Sequence, residues 1–308
     1  MNPAPKVSVC MTTYNHERYL AKAIESVMLQ ETRFAVELII GEDCSTDATG
    51  RIAAEFAQRY PDRIVLLARE KNMGMMENFC DVYDRCRGTY TAFLEGDDLW
   101  SDTTKLQQQV DALEQRPDWV LCFHPARYID SEGRPLGMQH PAQSNPELTL
   151  SDMVMDNPIS TCSILLRRSV IPRVPDNLKS LNLGDWPLCI VAAREGKIGF
   201  LSEPMAAYRV HGGGVWTSAS RRHTELSVLN MLLQLALDYP DLAPLVRESL
   251  ANRLECFFTD LEAAQSQVKA LQNASWRLRL KNLALWPLRK ANRMLFKRPV
   301  AIRSPRRR

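Results

Sequence analysis

Thr89-Tyr90-Thr91-Ala92-Phe93-Leu94-Glu95-Gly96-Asp97-Asp98-Leu99-Trp100 is the stretch on which the fold turns. Its first half is a short β-rich run, with Tyr90, Thr91, Phe93 and Leu94, and it stops abruptly at three carboxylates around one glycine. Carboxylates this close repel one another, and each costs several kcal/mol to bury unpaired. A divalent cation at the strand's carboxyl end would relieve that repulsion. Hard oxygen ligands favour Mg²⁺ or Mn²⁺, and Mg²⁺ usually shares its shell with a substrate's phosphates. The other reading is an acidic turn in which Asp98 or Asp102 caps the next helix. On this segment alone both stay open.

Working outward, apolar runs alternate with helical patterns. Strands are expected over Lys6–Met11, Val36–Ile40, Arg63–Ala68 and Gly88–Leu94, and helices over Asn15–Gln30, Ala48–Arg59 and Met76–Cys86. That alternation predicts a parallel sheet with helices on both faces, whose ligands gather at the carboxyl ends of the strands. Three loops fall there: Thr12–Asn15, Glu42–Asp47 and Glu95–Asp98. Beyond them the pattern predicts a helix over Thr104–Arg116, a strand over Trp119–Tyr128, and a loop or hairpin over Asp130–Pro146. A helix over Leu150–Met155, a strand over Ser163–Arg167, a helix over Asp185–Glu195 and two short strands within Lys197–Val210 follow. Helices over Thr224–Asp238 and Leu242–Gln272 come last.

Composition is that of a soluble globular protein, 45% hydrophobic and 24% charged in 308 residues. None of the eight cysteines forms a C-x-x-C pair, so they read as buried thiols in a reducing compartment. The chain enters a strand almost at once, leaving no room for a signal peptide, and it holds no run of 18 apolar residues. The net charge of +3 conceals an asymmetry: residues 276–308 carry twelve Lys or Arg and no acid, which leaves 27 basic against 36 acidic residues in the remainder.

Two further segments carry polar groups at strand ends. In Val7–Asn15, Thr12, Thr13 and Asn15 either cap the next helix or, with Tyr14, line a pocket for a nucleotide. In Glu42–Thr49, Ser45 or Thr46 suits an N-cap and Asp47 the helix dipole. Capping leaves the Glu42-Asp43 pair unexplained, and a carboxylate there can accept from a base imide or a ribose hydroxyl.

Together these pieces resemble the family 2 glycosyltransferases. The family's D-D-G-S-x-D-x-T appears as Glu42-Asp43-Cys44-Ser45-Thr46-Asp47-Ala48-Thr49, its N-x-G…N as Asn72-Met73-Gly74 with Asn78, and its D-x-D as Glu95-Gly96-Asp97. Gly184-Asp185-Trp186 stands where the family has its acidic catalytic motif, and Tyr208-Arg209-Val210-His211 matches a Y-R-x-H. The resemblance covers roughly residues 5–220 and implies an α/β, Rossmann-like glycosyltransferase-A domain with a mostly parallel central sheet flanked by helices. It implies a catalytic domain over 1–220, with a nucleotide-binding half to about 104 and an acceptor half over 105–220. A helical extension over 221–275 and a basic amphipathic tail over 276–308 complete the chain.

The resemblance also assigns roles. Asp43 would contact the nucleotide base, beside Thr13, Tyr14 and Asn15, with Asn72, Asn78 and Gly96 also in the donor site. Asp97 would ligate Mn²⁺ or Mg²⁺, Glu95 would bind ribose or a metal-bound water, and His211 would lie near the diphosphate as a candidate metal ligand. Asp185 would be the general base that deprotonates the acceptor hydroxyl, giving inversion. For Asp185 the helix-capping role stays open, as does a plain loop for His211 and Gly212–Gly214, with Trp216 packing on the sugar or acceptor if the loop is a lid. Trp100 and Trp186 read as core, and Asp98 as structural.

The implied donor is a nucleoside-diphosphate sugar, UDP-linked by family default, and the acceptor a glycan or lipid-linked chain of surface polysaccharide. The basic segment 276–298, with Leu, Trp and Phe among its cations, fits an interfacial helix on an anionic membrane, so the expected location is cytoplasmic and peripheral. Nucleic acid is disfavoured, because the acidic body would repel a phosphate backbone. The rival reading is a nucleotide-sugar-binding scaffold without turnover at the membrane surface. A nucleotidyltransferase would need a Gly-rich, Arg/Lys-bearing loop after the first strand, which is missing here.

Overall fold

β1 (Val7–Thr13) and β2 (Val36–Glu42) are buried along almost their whole length. Strands covered on both faces read as continuous apolar runs and occupy the middle of a helix-flanked sheet. A computed structural model, which describes residues 4–142, 145–214 and 220–273, has that arrangement. After β1 and β2, with α1 (Leu20–Met28) between them, come α2 (Thr49–Arg59), β3 (Ile64–Ala68), α3 (Met75–Arg85), β4 (Tyr90–Phe93), β5 (Leu99–Trp100) and α4 (Lys105–Gln115). The second half adds β6 (Trp119–Phe123), β7 (Ala126–Ile129), β8 (Pro135–His140), β9 (Glu147–Leu148), α5 (Leu150–Met155) and β10 (Leu165–Arg167). It ends with α6 (Asp185–Ala192), β11 (Lys197–Phe200), β12 (Ala206–Arg209), α7 (Arg221–Asp238) and α8 (Ala243–Asn273).

Eight strands form the main sheet in the order β3-β2-β1-β4-β10-β6-β11-β9. The run β3-β2-β1-β4 is parallel, β10 lies antiparallel to both β4 and β6, β6 and β11 are parallel, and β9 is reversed. The expected mostly parallel sheet is present, and it is continuous across the two expected halves because β10 joins β4 to β6. Alternate residues serve opposite cores: Val9, Leu38 and Ala92 face the side of α1, α2 and α4, while Cys10, Ile39 and Phe93 face that of α3, α6 and α7. A smaller sheet, β5-β12-β7-β8, stands beside this one.

Two expectations change. The single strand expected over Trp119–Tyr128 is two strands in different sheets, since Pro125 has no amide hydrogen to continue the ladder. The helix expected from Asn15 starts only at Leu20, because residues 15–17 are bonded to the loop after β2. The first compact unit is Met1–Leu250, and α7 places Val228, Met231, Leu232 and Leu235 in its core. Ala251–Arg308 forms a second unit. Among the described residues no helix is long and apolar enough to cross a membrane. Trp216 and the basic segment 276–298 lie outside the described residues.

Candidate active site

The loops after β1 and β2 are tied to each other as well as to their own helices. Ser45 Oγ accepts from Asn15 N at 3.0 Å, Thr49 Oγ1 from His16 N at 2.7 Å, and Asp47 from Glu17 N at 3.1 Å. In return Asn15 Oδ1 accepts from Thr46 N at 2.9 Å, and Glu17 from Ala48 N at 2.9 Å. Neither Ser45 nor Thr46 caps α2, whose start shows no side-chain cap. Both residues and Asn15 serve this brace instead, which correctly oriented polar groups on two loops can form only once the strands pair.

Beside the brace lies a cleft of about 290 Å³, reached by Thr13, Tyr14, Asp43, Asn72, Asn78, Glu95, Asp97 and Asp185. The Asp43 carboxylate accepts from Met73 N at 2.7 Å and Gly74 N at 2.9 Å, while Asn72 Nδ2 donates to Asp43 O at 3.0 Å. Asp43 therefore shapes the 72–74 turn as well as facing the cleft. Asn78 is buried, donating to Gly41 O at 2.8 Å and accepting from Arg69. Gly96 packs so closely on Thr13 that a Cβ would stand 2.5 Å from its Oγ1. A larger cavity of about 610 Å³ opens at the amino ends of β1 and β2, where Arg87 pairs with Glu37.

At one end of the cleft, Asp97 meets two histidines. His211 Nε2 lies 2.9 Å and His16 Nε2 3.6 Å from Asp97 Oδ2, and ligand atoms of the three residues all fall within 4.8 Å of one another. Arg209 on β12 holds the loop in place, its side chain donating to Asp97 O at 2.7 Å and its amide to Asp98 Oδ1 at 2.7 Å. Asp98 is buried and structural, as expected. Burial pushes the Asp97 carboxyl up, but the His211 hydrogen bond and the two imidazoles outweigh it and hold it below the usual carboxylate range. Burial lowers His16 despite Asp97. One carboxylate oxygen and two imidazole nitrogens at this spacing fit a divalent transition cation better than Mg²⁺, which prefers oxygen alone.

At the other end stand Glu95 and Asp185. Asp185 Oδ2 accepts from Thr161 Oγ1 at 2.6 Å, and Oδ1 from Trp186 N at 2.7 Å. Burial pushes the Asp185 carboxyl up, and these two hydrogen bonds restore only part of the shift. Glu95 is driven well above its ordinary value by burial and by the like charges of Asp97, Asp98 and Asp185. The two tryptophans are core, Trp100 Nε1 bonding Cys162 O at 2.9 Å and Trp186 Nε1 bonding Met153 O at 2.8 Å.

Sequence reasoning missed His16, Thr161 and Tyr208 as cleft residues. A histidine directly after Asn15 at a strand end was a usable signal for the first. Thr161 had none, because its partner lies 24 residues away.

A model of the family described as "Glycosyl transferase family 2" matches residues 8–174. The uncharacterized Mycobacterium tuberculosis protein Rv1520 is 39% identical over 214 residues, 69% of this chain and 61% of its own. The Bacillus subtilis protein named "Putative teichuronic acid biosynthesis glycosyltransferase TuaG" is 26% identical over 228 residues, 71% of this chain and 86% of its own. Among solved structures, S. aureus TarS in complex with UDP-GlcNAc superposes with a TM-score of 0.58 at 19% identity, over 75% of this chain and 66% of that one. The mannosyltransferase PcManGT from Pyrobaculum calidifontis, in complex with GDP-Man and Mn²⁺, gives 0.65 at 14% identity over 96% and 81%. At these identities the likeness is one of fold. The match spans about 61% of the length of Rv1520.

Proposed function

The chain belongs to glycosyl transferase family 2, with a glycosyltransferase-A fold, and on that premise we propose that it transfers a sugar from a nucleoside-diphosphate donor to an acceptor hydroxyl with inversion. The donor is UDP-linked, the acceptor is a glycan or lipid-linked chain of a surface polysaccharide, and a divalent cation takes part. The observation that carries this reading is the presence in one cleft of two carboxylates with opposite environments, Asp97 held low by imidazoles and Asp185 pushed up by burial. Environments that separate two carboxylates in this way separate their roles.

Asp97, His211 and His16 are the residues that would hold the cation, Mn²⁺ by their donor set. When bound, it supplies Lewis-acid neutralisation of the charge developing on the leaving diphosphate. Thr13, Tyr14 and Asp43 orient the nucleotide, and Glu95 binds the ribose or a metal-bound water. Asp185 takes the proton from the acceptor hydroxyl as that oxygen bonds to the anomeric carbon and the nucleoside diphosphate departs. The polysaccharide setting is supported by the name of TuaG. Attachment to an anionic membrane on the cytoplasmic face is supported by the twelve cations of residues 276–308.

Full-length protein with Mn²⁺ and a panel of UDP- and GDP-sugars tests the proposal. Nucleoside diphosphate is released faster when a polysaccharide-type acceptor is added, and Asp185→Asn lowers that rate by about 10²- to 10⁴-fold with donor binding intact. Donor binding without release under any acceptor would favour the scaffold reading. Unchanged turnover in Asp185→Asn would remove the base assignment.

A further inference from the structure

Asp185 is clamped through both carboxylate oxygens, and the two clamps have different origins. The Trp186 amide on Oδ1 is local to the first turn of α6, where Asp185 is the first helical residue and no side chain caps the helix. The Thr161 hydroxyl on Oδ2 comes from the turn before β10, 24 residues away along the chain. We propose that Thr161 is a positioning residue for sugar transfer, its hydroxyl turning the Asp185 carboxylate so that the remaining lone pairs face the acceptor hydroxyl. This rests on the assignment of Asp185 as the base.

The topology explains why such a residue exists. At the catalytic edge of the sheet, parallel strands present their carboxyl ends. β10 runs antiparallel between β4 and β6, so it brings its amino end to that edge instead. Thr161 lies in the short 3₁₀ turn Thr161–Ser163 that leads into β10. That turn is rigid: Ile164 N bonds Thr161 O at 3.2 Å, Trp100 Nε1 bonds Cys162 O at 2.9 Å, and Gln109 Nε2 bonds Ser163 O at 2.8 Å. A β-branched side chain on an anchored turn has few rotamers to lose. At 2.6 Å the contact is in the range of a charge-assisted O–H···O⁻ bond.

A hydrogen bond given to the ionised carboxylate favours that form. Two further titratable groups feel the charge of Asp185: Glu95 from the loop after β4, and Cys189 further along α6. Neither donates to it as Thr161 does. On accepting the acceptor proton, Asp185 keeps the Thr161 contact, so the product acid leaves the site geometry unchanged.

Thr161→Val and Thr161→Ser in the full chain test this. In Thr161→Val, kcat falls about 10- to 100-fold, the scale of a misplaced reacting group. Its donor KM stays within about twofold, since the donor end of the cleft is untouched, and the acid limb of its kcat/KM profile moves to higher pH. Thr161→Ser, which keeps the hydroxyl, restores both rate and limb. Wild-type kcat and limb in Thr161→Val overturn the proposal, and so does a Thr161→Ser variant as slow as Thr161→Val, which would indicate packing. Asp185→Asn separates this from the base assignment. If Asp185→Asn is inactive while Thr161→Val is normal, only the positioning role fails. If Asp185→Asn turns over normally, the base assignment fails first.

Discussion

Asp97 and Asp185 are recessed carboxylates of the same cleft, and their surroundings drive them in opposite directions. Asp97 has imidazoles on two sides, from the loop after β1 and from the segment after β12. Asp185 accepts from the Thr161 hydroxyl and the Trp186 amide, with the acidic Glu95 nearby. Burial raises both; the partners decide the sign of what is left. The lesson is that position in the cleft does not set a carboxylate's task. A group kept ionised is suited to a cation and diphosphate, and one whose charge is costly is suited to receiving a proton.

The comparison breaks most visibly if the Asp97 corner is not a metal site. Chelation is expected to abolish acceptor-dependent release, with Mn²⁺ restoring it. Asp97→Asn is expected to lower kcat by about 10³-fold or more, corresponding to several kcal/mol of lost charge stabilisation. Full rates in chelator, measured by nucleoside-diphosphate release, would show that the imidazoles serve something else.

The Asp185 end is sharpened by pH. Its folded pKa lies above the ordinary aspartate value, so the active, ionised form is lost as pH falls through that raised value. The acid limb of kcat/KM should therefore sit above the range of a free aspartate. The same shift has the opposite sign for stability: the protonated form is favoured by folding, and that contribution is present below the unfolded pKa and lost as pH rises through the folded one. Asp185→Asn should unfold at a higher temperature than wild type at neutral pH, with the gap closing in acid. A gap that widens in acid would contradict the raised pKa.

The smallest effect concerns Cys44, beside Asp43. It holds φ 57°, a left-handed conformation, where the family pattern carries glycine. Cys44→Gly should stabilise the protein by about 1 kcal/mol in denaturant titration. It should leave donor affinity unchanged, because Asp43 still fixes the turn at Met73 and Gly74. Loss of donor affinity would show that the thiol takes part in the nucleotide end of the cleft.

Much of the fold was legible because its signals are local. Apolar runs of β1, β2 and β4, and the polar loops that end them, appear within a few residues, and parallel pairing follows from the helices between them. Pro125 also marked the break between β6 and β7, although the flanking apolar residues concealed it. Capping was misread for a physical reason: Ser45 and Thr46 have the chemistry of caps, yet their partner, Asn15, is about thirty residues away. A short polar side chain bonds whatever group the fold brings nearest, and local pattern cannot say which.

The amino-acid sequence by itself determined an alternating β/α chain with carboxylates at its strand ends and a strongly basic final segment. It could do so because periodicity and charge are properties of neighbours. Only the tertiary structure decided that β10 runs backwards to bring Thr161 onto Asp185, and that His16 and His211, 195 positions apart in the numbering, meet on one oxygen of Asp97. Those contacts depend on strand order and direction, which arise from how separate elements pack and leave no trace in the spacing of residues along the chain.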